Sequence, residues 1–221
     1  MLEAQWPLFG LRILTPRLEI RMPGDHDLEG LLAVAAEGIH DPDTMPFLHP
    51  WTDAEPAERD RSSLQSWWRA RAGWSQDNWH FSGAVFLDGC PVGRQDLMAE
   101  HFAELRVVKT GSWLGQRFQG QGIGKEMRAA VLHFAFEGLG AMEAESGAWH
   151  DNAASVAVSR ALGYRQVEGG LALRRGQPDR LTDFLLTREE WLARRRDDIT
   201  IEGLDRCLFV FGVRQEAEGS F

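Results

Sequence analysis

Tyrosine and cysteine are scarce in this 221-residue chain, which holds one tyrosine, Tyr164, and two cysteines, Cys90 and Cys207. The cysteines stand far apart and match no metal-ligand spacing, so no metal site is expected and free thiols in a reducing cytosol are expected over a disulfide. Basic residues are outnumbered: 24 Lys and Arg against 33 Asp and Glu give a formal net charge of −9. A nucleic-acid groove needs clustered Lys and Arg, so no nucleic-acid partner is expected. Long apolar runs are missing. Residues 129–136 come nearest, but His133 breaks them and they fall short of the ~20 residues of a membrane span. The start, Met1-Leu2-Glu3-Ala4-Gln5, is not a positively charged signal region. These absences together predict a soluble, cytoplasmic protein with no membrane partner. No internal repeat or low-complexity linker divides it.

What is present is enough for a core, with 43% apolar residues, and nine tryptophans spread along the chain. Residues 11–21 alternate as a first strand that Pro16 confines to an edge or bend. Pro23-Gly24-Asp25 starts a helix with Leu28, Leu31, Leu32 and Ala35 on one face, closed by Gly38. Residues 41–51 hold three prolines and cannot be regular helix or central strand. Thr52 to Glu55 reads as a capping box, with Pro56 in the first turn of a helix that runs to about Ala72. Three antiparallel strands follow, at 79–87, 92–98 and 107–114, the first pair joined by Asp88-Gly89. After a glycine-rich turn, Ile123, Met127, Ala130, Val131 and Phe134 mark an apolar helix face, with Lys125, Arg128, His133 and Glu137 placed largely on the other. A strand at 141–149, a short helix from Asp151-Asn152 to Leu162, and strands at 164–167 and 181–186 complete the pattern, with Arg174 to Pro178 as a turn. A basic short helix at 188–196 and one or two strands within 199–213 end it. The order predicts an α+β fold: a mixed, mainly antiparallel sheet with helices on both faces.

The chain is organised around the turn holding Gly120, Gly122 and Gly124. A strand, a loop of exposed N–H groups and a helix N-terminus make an anion site. A triphosphate P-loop fails, because Gly124-Lys125 is followed by Glu126 and the position five before Gly124 is Gln119. A dinucleotide fingerprint fails on its last spacing and on the preceding meander. The pattern that fits is [QR]-x-x-G-x-[GA], read as Gln119-Gly120-Gln121-Gly122-Ile123-Gly124.

Four stretches in order carry a family resemblance: Leu14-Thr15-Pro16-Arg17-Leu18-Glu19-Ile20-Arg21, Gly111-Ser112-Trp113-Leu114, the loop from Gln119 to Glu126, and Asp151-Asn152-Ala153-Ala154-Ser155 with Leu162-Gly163-Tyr164. The sequence resembles the GNAT superfamily of N-acetyltransferases, and within it the RimJ/RimL-like branch. The resemblance spans residues 11–187 as one domain, with 188–221 as a helix and strand extension packed on it. It implies acetyl-CoA, or another acyl-CoA, as co-substrate. Backbone groups of Gln119, Gly120, Gln121, Gly122, Ile123, Gly124 and Lys125 would cradle its pyrophosphate, and Asn152 would bond the pantetheine in a gap between splayed strands. A backbone N–H near Trp113 or Leu114 would stabilise the thioester oxyanion. Ser155 is the expected proton donor to the leaving thiolate; helix capping is the plainer role for Asn152. The acid that the branch carries after Trp113-Leu114 is missing, since Gly115-Gln116 stands there. Among Asp96, Glu104 and Glu145, Asp96 is the expected base. Met45, Phe47 and Trp51 are the expected acceptor pocket for a primary amine, either a protein N-terminus or a small molecule. Alternatives are a non-catalytic acyl-CoA-binding module, a transferase of a larger acyl group such as succinyl, and a different nucleotide binder. Leu208-Phe209-Val210-Phe211 is an apolar candidate edge for a homodimer.

Overall fold

A computed structural model describes residues 2–213 of the chain. Its elements are α1 (Leu2–Gln5), β1 (Arg12–Leu14), β2 (Leu18–Arg21), α2 (Asp25–Glu37), α3 (Pro56–Ala72), β3 (Asn78–Leu87), β4 (Cys90–Glu100), α4 (Phe102–Leu105), β5 (Val107–Leu114), α5 (Ile123–His133), β6 (Glu143–Trp149), α6 (Ala153–Ala161), β7 (Arg165–Val167), β8 (Leu171–Arg174), β9 (Gln177–Thr187), α7 (Arg188–Leu192) and β10 (Thr200–Glu202). One sheet runs β10-β1-β2-β3-β4-β5-β6-β9-β7, with β8 paired to β9. Among its pairs only β5–β6 is parallel. This is the expected α+β class.

Alternation assigns each strand residue to one of two faces. On one face Trp79, Phe81 and Val85 of β3, Leu97 of β4 and Val108 of β5 pack with Ile123, Met127, Ala130, Val131 and Phe134 into the main core. On the other, Ala84 and Phe86 meet Leu28 and Leu31 of α2 and Trp67 of α3 in a second cluster. Trp68, next in sequence, is exposed because neighbouring helix positions cannot share a stripe. The β3–β4 turn is as expected, with Asp88 and Gly89 both at positive φ (50° and 77°).

Several expectations are corrected. Residues 11–21 are not one strand. Thr15 N–H donates to Leu18 O (2.9 Å) and Thr15 Oγ1 accepts from Leu18 N–H (2.9 Å), so Pro16 sits in a hairpin turn between β1 and β2. Thr52 does not cap α3. Its Oγ1 lies 2.7 Å from His40 Nε2, and the helix starts at Pro56 with Glu55 in the cap position and no side-chain cap. Residues 171–174 form the extra strand β8. Leu208–Phe211 is a 3₁₀ turn, with Val210 and Phe211 buried, and not the apolar edge strand proposed for dimer contact. The segment from 188 joins the same sheet, since β10 pairs antiparallel with β1; residues 214–221 of the extension lie outside the described residues. Cys90 and Cys207 are free thiols.

Candidate active site

From β5 the chain passes a 3₁₀ turn, Gln116–Phe118, into the glycine loop. Gly120 and Gly122 take φ values of 74° and 79°, which glycine adopts without a side-chain clash. Gly122 is the N-cap of α5, so the N–H groups of Ile123, Gly124 and Lys125 precede the first i to i−4 bond, which Glu126 N–H makes to Gly122 O (3.1 Å). A Cβ at Gly120 would have nothing within 4 Å, so a phosphate can approach the backbone there. The β1–β2 turn clamps this loop. Glu126, in the first turn of α5, accepts from Thr15 Oγ1 (2.6 Å) and Arg17 Nε (2.7 Å), while Arg17 Nη1 donates to Gln121 O (3.2 Å). Burial works to raise the Glu126 pKa, but those bonds hold it below the usual carboxylate range. Two of the sequence stretches that carried the resemblance are thus joined by one ionic contact.

β5 and β6 pair only from Val107↔Glu143 to Thr110↔Ser146. Beyond that, β5 continues to Leu114 along β4, and β6 continues to Trp149 along β9. The two strands therefore part at Gly111 and Gly147, leaving a gap whose β5 edge carries unpaired backbone groups facing β6. A cavity of about 1220 Å³ runs from the glycine loop into this gap. The proline-rich loop forms one wall of it, and the β8–β9 hairpin fastens that loop. Arg174 Nε donates to Met45 O (2.9 Å), its Nη1 reaches Asp151 (2.8 Å), Arg175 pairs with Asp53 (2.7 Å), and Trp149 Nε1 donates to Phe47 O (3.1 Å).

The structure brings Trp113, Leu114, Gln119, Gly120, Gly122, Gly124, Lys125, Asn152, Ser155 and Phe47 to this cavity. Gln119 ties the loop to both walls, donating from Nε2 to Ile39 O (2.7 Å) and Leu114 O (2.8 Å). Asn152 is the N-cap of α6, its Oδ1 accepting from Ser155 N–H at 3.1 Å, which is the plainer of its two expected roles. Ile123 is packed in the core rather than on the cavity, and Gln121 turns its amide to Arg117 O (2.8 Å). Met45, expected in the acceptor pocket, is buried off the cavity, and its carbonyl accepts from Arg174. Trp51 stands behind the lining, 5.5 Å from Phe47 and 6.0 Å from Trp113 between ring centroids.

Asp96 does not line the cavity. It lies under Gly111, its neighbour across the β4–β5 pair, in a closed cluster. Arg94 Nε donates to it (2.7 Å), Ser82 Oγ donates (2.7 Å), and His80 Nε2 lies 2.9 Å away. Arg94 in turn covers the Trp67 ring at 4.4 Å. Burial would raise the Asp96 pKa, but the Arg94 charge and the bonds from His80 and Arg94 outweigh it and bring it down to about 2. A carboxylate that weakly basic and so fully engaged is a poor proton acceptor. The mid-strand aspartate signals an ion pair under the sheet.

Sequence reasoning missed two groups. Asp183 of β9 stands opposite Gly147, where the strands part, and lines the cavity; a Cβ on Gly147 would be 3.0 Å from Asp183 Oδ1. Its signal was a lone charge within the apolar strand 181–186. The second is Arg128, placed by helical periodicity on the outer face of α5. It is 5% exposed and reaches the gap from beneath, donating to Ser146 Oγ (3.0 Å), Ser159 Oγ (3.2 Å) and Ser112 Oγ (3.3 Å). Burial lowers its pKa.

A glycine cradle at a helix N-terminus thus opens into a gap between parted parallel strands. A family model described as an acetyltransferase (GNAT) domain matches residues 17–165, and the chain belongs to that family. It is a GNAT-type N-acetyltransferase, of a family that uses acetyl-CoA. Solved structures share the fold. A candidate ribosomal-protein-serine acetyltransferase from Vibrio cholerae is 21% identical with a TM-score of 0.61, covering 80% of this chain and 97% of its own. RimL, a ribosomal-protein alpha-N-acetyltransferase in complex with coenzyme A, is 17% identical with a TM-score of 0.60, covering 78% and 95%. A spermidine N-acetyltransferase chimera from Vibrio cholerae and a human enzyme is 14% identical with a TM-score of 0.63, covering 80% and 98%. Among the described residues no helix is long and apolar enough to cross a membrane, and no cluster of three or more His, Cys, Asp or Glu is placed to hold a metal ion.

Proposed function

We propose that this chain transfers an acyl group from acyl-CoA to a primary amine by direct attack in the β5–β6 gap. The observation that carries this is the parting of β5 and β6 directly beside the clamped glycine loop. Gly120, Gly122, Gly124 and Lys125 hold the pyrophosphate, and the parted edge of β5 offers a backbone N–H near Trp113 or Leu114 to the developing oxyanion. Acyl-CoA supplies an activated thioester carbonyl. The amine lone pair attacks it, a C–N bond forms as the C–S bond breaks, the sulfur takes a proton and the amine gives one up.

Asp183 takes the role of base in place of Asp96, because it lines the cavity where the strands part. Ser155 is the proton donor to sulfur. The acceptor enters past Phe47 and the proline-rich loop. The fold neighbours include enzymes named for ribosomal proteins and one named for spermidine, so the fold leaves the acceptor class open. The loop fastened by Arg174 and Arg175 favours a preformed wall and a defined acceptor. Thiol release from acyl-CoA is the test, with peptide N-termini and polyamines as acceptors. Amine-dependent release is expected, and Asp183→Asn is expected to lower kcat by about 10²–10⁴ while leaving coenzyme A affinity unchanged. Full activity in that variant removes Asp183 from the chemistry; tight coenzyme A binding with no release on any amine favours a non-catalytic binding module.

A further inference from the structure

Arg128 is a buried guanidinium whose hydrogen-bond partners are three serine hydroxyls, one each from β5, β6 and α6. The other charged or titratable group bearing on it is the phenol of Tyr164, itself buried and pushed up in pKa by that burial. Its Nε is buried with no hydrogen-bond partner. Other arginines with buried contacts here meet carboxylates, as Arg21 meets Asp27 (2.6 Å) and Arg94 meets Asp96 (2.7 Å). A lone buried charge is costly, and an anionic ligand group would offset that cost.

The position says which ligand group that is. Ser146 is the last residue of β6 paired to β5, and Ser112 is two past the last paired residue of β5, so Arg128 marks the closed end of the gap. Arg128, Ser112 and Ser146 all line the cavity that begins at the glycine loop. Five residues along α5 from the helix start is about 7.5 Å deeper than the anion cradle. A thioester arm entering from the loop meets this end last, with its acyl tail. An acetyl methyl offers nothing to a guanidinium and two hydroxyls that can each still donate.

We infer that Arg128, Ser112 and Ser146 form a carboxylate subsite, and that the preferred acyl donor is the coenzyme A thioester of a short dicarboxylic acid. This rests on the transferase reading and specifies its acyl group. The guanidinium has unused donors, and the hydroxyls of Ser112 and Ser146 add two more, enough for both oxygens of one carboxylate. Ser159, fully buried, holds Arg128 from behind.

The test is calorimetric titration of the full-length protein with coenzyme A, butyryl-CoA and succinyl-CoA, the last two having equal chain length and differing in the terminal carboxylate. Succinyl-CoA is expected to bind at least about tenfold tighter than butyryl-CoA, as a buried charged hydrogen bond provides. Arg128→Met should bring the ratio close to one with coenzyme A affinity kept. Ser112→Ala and Ser146→Ala should each reduce it several-fold, and they carry the variant arm should Arg128→Met fail to fold. Equal binding of the two thioesters to the wild-type protein overturns the inference, as does a ratio that survives in the variants. Failure of coenzyme A itself to bind overturns the transferase reading as well, so the two failures are told apart.

Discussion

Two buried charges flank β5, one under each face of the sheet, and they are built oppositely. Asp96 is enclosed by Arg94, Ser82 and His80, and the cluster is neutralised within the protein. Arg128 has hydroxyls around it and lines the open cavity. A charge that its own fold satisfies is a structural tie, and removing one partner strands the other. A charge that its fold leaves unanswered makes the fold complete only with a ligand. The contrast separates the two residues by what surrounds them, where a mid-strand position had pointed to the aspartate as the chemical group.

Stability should separate them first. Asp96→Asn leaves the Arg94 guanidinium buried without its anion and is expected to cost about 3–5 kcal/mol in urea unfolding. Arg128→Met removes a buried charge that has no anion and replaces it by a flexible apolar chain. The same measurement should find it unchanged within about 1 kcal/mol, or more stable. Equal losses in the two variants would erase the distinction.

Acid should act on one of these charges and not on the other. The folded pKa of Asp96 is about 2 against an ordinary 3.8, so its contribution is complete above about pH 4 and is lost as pH falls toward 2. About 2 kcal/mol of stability should disappear across that window in the wild type and be absent from the profile of Asp96→Asn. Arg128 keeps its charge throughout and adds no such slope. The smallest effect belongs to the clamp on the glycine loop. Glu126→Gln keeps a side chain that can meet Thr15 but loses the pairing with Arg17, and coenzyme A affinity should fall about fivefold. No change in titrations would show that the loop holds its shape alone.

The sequence carried most of the frame, because its signals are local. Asp88-Gly89 forces a tight hairpin, the glycines of residues 120–124 force the loop, and the spacing from Ile123 to Phe134 forces a helix. What it hid depends on tertiary neighbours. Pro16 reads as a bend within an alternating strand, and only the pairing of β1 with β2 makes it a turn. Thr52 fits a capping pattern, yet His40 from the other end of the loop takes its hydroxyl. Arg128 falls on the polar side of an isolated helix, but β5, β6 and α6 close over that side. Asp183 and Asp96 are both acids within strands, and only the place where β5 and β6 part tells which one reaches the cavity.

Parallel titrations of succinyl-CoA into the wild-type protein, Asp96→Asn and Arg128→Met, at a temperature where all three are folded, test the central distinction most directly. An affinity within about threefold of wild type is expected for Asp96→Asn, and a loss of at least about tenfold for Arg128→Met. Equal weakening in both variants, or none in either, would contradict that distinction.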